Sequence, residues 1–202
     1  MKRIFDLICS ITFIITLLPL LILVSFIVKF TSNGPVIFKQ RRIGKRKMEF
    51  YIYKFRTMYI DCPEDTPTHL LDNPKRYITP IGKVLRKTSL DELPQLFNIL
   101  KGEMSFVGPR PALYNQDDLI ALREQYGINN IRPGLTGWAQ INGRDELKVE
   151  EKVQFDKYYA EKFSIGLDIK IIFLTFIKVL SGSGVVEGTA TVENKEKMSV
   201  GN

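Results

Sequence analysis

Residues 7–28, LICSITFIITLLPLLILVSFIV, contain no charged side chain. Wound as a helix at about 1.5 Å per residue, the run reaches about 33 Å, enough to cross the hydrocarbon core of a bilayer. A cleaved signal peptide would be shorter and would end in small residues, and no such site follows this run. Pro19 lies near its middle, where it removes a helical hydrogen bond and is expected to kink the helix. Lys2 and Arg3 precede the run, and Lys29 and a basic cluster follow it. Positive charge marks the cytoplasmic side, here at both ends. The pattern predicts a membrane-inserted helix over 1–32, either re-entrant with a bend at Pro19 or spanning.

Beyond Gly34-Pro35, Val36–Lys39 and Glu49–Phe55 are rich in β-branched and aromatic residues around a basic turn, which predicts a hairpin. Residues 61–80, with Pro63, Pro67, Pro74 and Pro80, read as a polar loop. Residues 81–101 carry a helical pattern broken near 88–90. Gly102–Pro111 and Ile131–Arg144 read as Gly/Pro loops, while Asp117–Tyr126 and Asp145–Phe163 read as helices. Phe163–Leu180 is apolar but interrupted by Asp168, Lys170 and Lys178, as in an amphipathic helix at a membrane interface or an ordinary core helix. The Gly/Ser/Thr-rich tail after Ser181 is expected to be loosely ordered. The expected fold is α+β and mainly helical: a membrane helix (1–32), a small cytoplasmic globular domain with a β-hairpin and interfacial amphipathic helices (33–181), and a tail (182–202).

Charge sharpens this picture. The 202 residues carry a net +7, and Lys39, Arg41, Arg42, Lys45, Arg46, Lys47, Lys54 and Arg56 against Glu49 already account for +7. A basic focus on a neutral body points to an anionic partner. Nucleic acid is not expected, because few aromatic or base-reading groups accompany the cluster. At 45% hydrophobic residues the chain can bury a core. Cys9 and Cys62 suggest neither a disulfide scaffold nor a zinc site. A single histidine, His69, excludes histidine-rich metal sites.

The chemistry concentrates in Thr88-Ser89-Leu90-Asp91-Glu92-Leu93-Pro94. Ser89 with Glu92 matches a capping box; alternatively Asp91 caps a helix whose first turn holds Pro94. Either way two carboxylates sit at a helix start, a setting shared by ordinary stabilising residues and by phosphate chemistry. Arg110, Arg132 and Arg144 each lie among Pro and Gly residues that would hold them in place; the guanidinium fork suits bidentate phosphate contacts, and a solvated loop tip is the alternative for any one of them. No Walker A loop or dinucleotide fingerprint is present. Trp138 and Tyr53 could stack on a base, although a lone Trp is more often core.

These segments together resemble the bacterial sugar transferases, or monotopic phosphoglycosyl transferases. The matching stretches are KRIFD (2–6), GPVIFKQRRIG (34–44), YKFRTM (53–58), SLDELPQLFNILKGEMSFVGPRP (89–111), IRPGLTGWAQINGR (131–144), Tyr158-Tyr159 and LDIKIIFLT (167–175). They cover nearly the whole chain in order, as in a short form limited to the catalytic core. SGVVEGTATVE (183–193) is most similar to members that initiate protein N-glycosylation. Two departures are Leu18, where many members have serine before the proline, and Glu103 in place of a commoner aspartate.

The resemblance implies transfer of a phospho-sugar from a UDP-sugar to polyprenol (undecaprenyl) phosphate, with release of UMP, at the cytoplasmic face of the bacterial inner membrane. This would be the first membrane step of glycan assembly. Asp91 would be the nucleophile and would form an aspartyl phospho-sugar intermediate. Glu92 would assist, Mg²⁺ would sit at Asp91, and Lys54, Arg56, Arg86, Arg110, Arg132 and Arg144 would bind substrate. The tail hints at an N-acetylated, even diacetamido-deoxy, sugar. The competing readings are a non-catalytic membrane-anchored protein that binds anionic lipid, and a scaffold that docks onto another membrane enzyme.

Overall fold

The structure is a computed structural model describing residues 2–63, 73–143 and 147–181. His69, Arg144 and the 182–202 tail, all named above, lie outside the described residues.

The first helix, α1, is Lys2–Thr31, longer than the apolar run at both ends and continuous through Pro19. Hydroxyls inside it turn back to the helix: Ser10, Thr16, Ser25 and Thr31 donate to the carbonyls of Leu7, Thr12, Leu21 and Ile27. These bonds keep the polar groups of an apolar helix satisfied. One stripe, with Asp6, Ser10, Leu21, Val24 and Val28, is buried against the rest of the protein. On the other side Ile4, Ile8, Ile11, Ile15, Leu18 and Ile22 recur at helical spacing and are exposed. Both ends are tied to the same body. Lys2 pairs with Asp168 at 2.6 Å, and Arg3 donates to the carbonyls of Ile99 and Leu100. Asp6 accepts from Ser105 Oγ and the Phe106 amide. At the far end Arg56 donates to the Ser32 carbonyl at 2.6 Å and approaches that of Val28.

Strands β1 (Ile37–Ile43) and β2 (Glu49–Phe55) pair antiparallel, with Ile37 opposite Phe55 and Ile43 opposite Glu49. The first strand was expected to stop at Lys39; instead it carries Arg41 and Arg42 into the sheet. Alternation explains how: Phe50 and Ile52 face the core, while outward Lys39 and Arg41 lie over the rings of Tyr53 and Tyr114. A 3₁₀ turn, Lys45–Lys47, closes the hairpin.

Helix α2 (Pro80–Thr88) starts as its sequence prescribes. Thr79 Oγ1 accepts from the Gly82 amide, and Pro80 takes a first-turn position. It ends at Ser89, whose φ of 57° is left-handed. Neither expected cap therefore forms. Ser89 serves as the C-cap of α2, Leu90–Glu92 make a 3₁₀ turn, and α3 (Gln95–Lys101) begins after Pro94 with no side-chain cap. The two carboxylates thus precede a helix of only seven residues, too short for its dipole to govern them.

Both stretches read as loops hold short elements. β3 (Ser105–Val107) runs parallel to β4 (Gly134–Thr136), and α5 (Trp138–Ile141) follows. Three-residue strands are too short to show alternation. Their crossing is tight: a Cβ on Gly134 would come within 2.1 Å of the Gly108 amide nitrogen. The remaining helices are α4 (Asp117–Gln125), α6 (Val149–Glu161) and α7 (Ile165–Ser181), all within about four residues of expectation. Phe50, Ile52, Ile99, Phe106, Tyr159 and Ile171 belong to the central core, so α3, β2, β3, α6 and α7 share one interior. Helix α7 buries Asp168 and Ile171 and exposes Ile165, Ile169, Phe173, Phe176 and Ile177, the amphipathic division its sequence predicts.

Candidate active site

Asp91 and Glu92 are each only 8% exposed, which is costly for carboxylates unless cations stand nearby. Three do. Lys54 shares its strand face with Phe50 and Ile52, so the alternation that buries those residues turns its ammonium inward, 2.8 Å from Glu92 Oε1. Arg110, between Pro109 and Pro111 after β3, brings Nη2 to 3.3 Å from the same oxygen. Arg86, in the last turn of α2, acts electrostatically on Asp91.

Glu92 is occupied by Lys54 and Arg110, whereas Asp91 makes no hydrogen bond or ion pair among the described residues. Burial pushes the Asp91 pKa above the ordinary carboxylate value. Lys54, Arg86 and Arg110 oppose that shift and Glu92 adds to it. Burial likewise lowers the Lys54 pKa, against the pull of Glu92 and Asp91. Three cations facing two carboxylates leave local positive charge, an environment suited to an incoming polyanion. A desolvated carboxylate with no hydrogen bond among the described residues has the chemistry of a nucleophile toward an electrophile held by such cations.

The structure thus brings Lys54, Arg86, Asp91, Glu92 and Arg110 together and puts other expected binding residues elsewhere. Arg56 is buried at the end of α1, bonded to Ser32. Arg132 Nε donates to the Gly102 carbonyl at the end of α3. Both hold helix ends. Trp138 stacks on Tyr158, and Tyr53 lies between Lys39 and Lys101. Sequence reasoning missed Arg123 on α4 and Asp156 on α6, a buried ion pair whose arginine also donates to the Arg110 carbonyl. The one available signal was Arg123 lying four residues after Leu119, on the apolar stripe of α4.

No group of three or more Asp, Glu, His or Cys side chains gathers as a metal site among the described residues. Asp91 is the available carboxylate, since Glu92 is engaged. One carboxylate completed by phosphate oxygens and water suits Mg²⁺, so the residues fit a metal that arrives with a phosphorylated substrate.

A family model described as bacterial sugar transferase matches residues 1–182. The undecaprenyl-phosphate glucose phosphotransferase of Komagataeibacter xylinus is 44% identical over 184 residues, 86% of this chain and 35% of that protein. The uncharacterized sugar transferase EpsL of Bacillus subtilis (strain 168) is 40% identical over 185 residues, 92% of this chain and 90% of its own length. The UDP-N-acetylgalactosamine-undecaprenyl-phosphate N-acetylgalactosaminephosphotransferase of Aeromonas hydrophila is 37% identical over 188 residues, 91% of this chain and 44% of that protein. The chain therefore spans nearly all of EpsL but less than half of the other two.

Proposed function

This chain belongs to the bacterial sugar transferase family, and from that membership we propose that it moves a phospho-sugar from a UDP-sugar onto undecaprenyl phosphate and releases UMP. The observation that carries the proposal is Asp91: buried, under the electrostatic influence of Lys54, Arg86 and Arg110, and without a hydrogen bond or ion pair among the described residues.

Asp91 attacks the sugar-side phosphorus of the diphosphate. A carboxylate oxygen–phosphorus bond forms, the bond to the UMP oxygen breaks, and UMP leaves with that electron pair. The oxygen of undecaprenyl phosphate then attacks the aspartyl phospho-sugar, gives the polyprenyl diphospho-sugar and frees Asp91. Two steps through a carboxylate replace one direct encounter of two bulky anions. Lys54 and Arg110, held by Glu92 when no substrate is bound, are drawn to the diphosphate and offset charge on the leaving UMP. Glu92 keeps both cations in place between turnovers and is positioned to accept or return a proton. Mg²⁺ held at Asp91 would neutralise phosphate charge in the bound donor.

The acceptor is a lipid, so the site belongs at a membrane surface. The exposed apolar faces of α1 and α7 support insertion of α1 and interfacial placement of α7. Because both ends of α1 are tied to the globular body by Lys2, Arg3 and Arg56, the same-side, re-entrant reading is favoured over a crossing one. The positive flanks agree with a cytoplasmic location of that body. Residues 33–181 form the catalytic domain in this reading. The donor sugar is proposed to be N-acetylated, on the resemblance of the 183–193 segment. The reading is tested by following UMP release from detergent-solubilised protein with Mg²⁺, undecaprenyl phosphate and a panel of UDP-sugars. Multiple-turnover UMP release sustained by the acceptor supports it, and no UMP release across the panel with folded protein contradicts it.

Electrostatics adds a pH prediction. The nucleophile is the ionised form, so activity falls as pH drops through the raised Asp91 pKa. Glu92→Gln removes a charge that raises this pKa, so the acid limb of the rate profile moves to lower pH, whatever the change in maximum rate. Lys54→Met removes a charge that lowers it, so the limb moves to higher pH. Profiles of kcat/KM against pH for the three proteins check both signs.

A further inference from the structure

Arg110 reaches Glu92 from a loop between two prolines, and what fixes that loop lies outside the site. Arg123 Nη1 on α4 donates to the Arg110 carbonyl at 2.9 Å, while its Nε donates to Asp156 on α6 at 3.0 Å. Both side chains are buried, Arg123 at 4% and Asp156 at 1% exposure. Three residues along α6 from Asp156, the Tyr159 hydroxyl lies 3.2 Å from the Val107 carbonyl, at the start of the same loop. Arg42 donates to the Pro111 carbonyl at 3.0 Å just beyond it.

We infer that Arg123, held by Asp156, is a positioning residue for Arg110 in phosphate binding. The geometry makes this more than packing. Pro109 and Pro111 fix their own φ, and Arg110, which precedes a proline, is restricted in ψ. The peptide between Arg110 and Pro111 therefore has one soft orientation left, and the Arg123 bond to its carbonyl sets it. That orientation in turn sets where the Arg110 side chain starts and whether its fork meets the phosphate position beside Glu92. A guanidinium is required because one group must reach two acceptors at once: the Asp156 carboxylate and the Arg110 carbonyl. A lysine carries all its donors on one nitrogen and cannot occupy the Nε and Nη1 positions together.

This inference rests on the proposed transferase reading, and its test separates the two. UDP, the diphosphate portion of the donor, is titrated calorimetrically with Mg²⁺ into the detergent-solubilised full chain. The proteins compared are wild type, Arg110→Ala, Arg123→Lys and the double variant. Arg123→Lys preserves the buried ion pair, and Arg123→Met with Asp156→Leu is a second way to remove the carbonyl contact without stranding a charge. Loss of the Arg110 fork is expected to weaken UDP binding about tenfold. Arg123→Lys should weaken it by a similar factor, and the double variant should be no weaker than Arg110→Ala alone, because both changes remove one contact. Wild-type affinity in Arg123→Lys or in the Met/Leu variant, or losses that multiply in the double variant, would overturn the positioning role. No UDP binding by the folded wild type would overturn the transferase reading and this inference with it.

Discussion

Asp91→Asn is expected to reduce phospho-sugar transfer by at least about a thousandfold, because the amide keeps the shape of the side chain and loses the nucleophilic oxygen. Folding should be unharmed. Asp91 makes no hydrogen bond or ion pair among the described residues, so no partner is orphaned. The substitution also removes a charge whose burial is unfavourable, so the unfolding temperature should stay level or rise. The contrast with Glu92→Gln is informative. Glu92 carries the ion pairs with Lys54 and Arg110, so its neutralisation leaves two cations facing each other and disturbs substrate-free geometry as well as rate. Steady-state UMP release together with thermal unfolding checks this. A variant with more than a tenth of wild-type activity would mean that another group carries the phospho-sugar, or that none does.

Asp156→Ala is expected to cost about 3–5 kcal/mol of stability, the range for stranding one member of a buried ion pair. Arg123 would remain almost fully enclosed with a charge and no carboxylate. Burial pushes the Asp156 pKa upward despite the arginine beside it, so desolvation outweighs attraction and the pair adds little by itself. Arg123→Met combined with Asp156→Leu should therefore recover most of the stability lost in Asp156→Ala. Denaturant unfolding in a fixed detergent checks both. A loss below about 1 kcal/mol for Asp156→Ala would show that water reaches Arg123.

Much of this architecture was legible in the chain. The apolar run of α1, the period-two strand β2 and the break at 88–90 each carry a strong local signal. The caps were not legible. Ser89 fits a capping box by spacing, but the competing demand to end α2 in a left-handed residue places it there instead. Strands β3 and β4 escaped because parallel pairing of three residues is a tertiary fact. Their tell-tale glycines, 108 and 134, are indistinguishable from loop glycines until the chains cross. Within the site, the Asp91–Glu92 pair and Arg110 stood out through motif context. Arg56 and Arg132 carry the same charge and lie in equally suggestive sequences, yet each donates to a carbonyl at a helix end. Arg123 and Asp156 gave the reverse problem. Each is one of several charges on its helix, and only the docking of α4 on α6 makes them a pair.

The central claim is a covalent phospho-sugar on Asp91, and it is tested most directly with the acceptor withheld. The protein is mixed with Mg²⁺ and the UDP-sugar it accepts, quenched within one turnover, digested and weighed by mass spectrometry. The account predicts a burst of UMP approaching one equivalent per protein and a phospho-sugar mass added to the peptide that contains Asp91. UMP release that requires undecaprenyl phosphate from the first turnover, with that peptide unmodified, would contradict it and favour direct transfer between the two bound substrates.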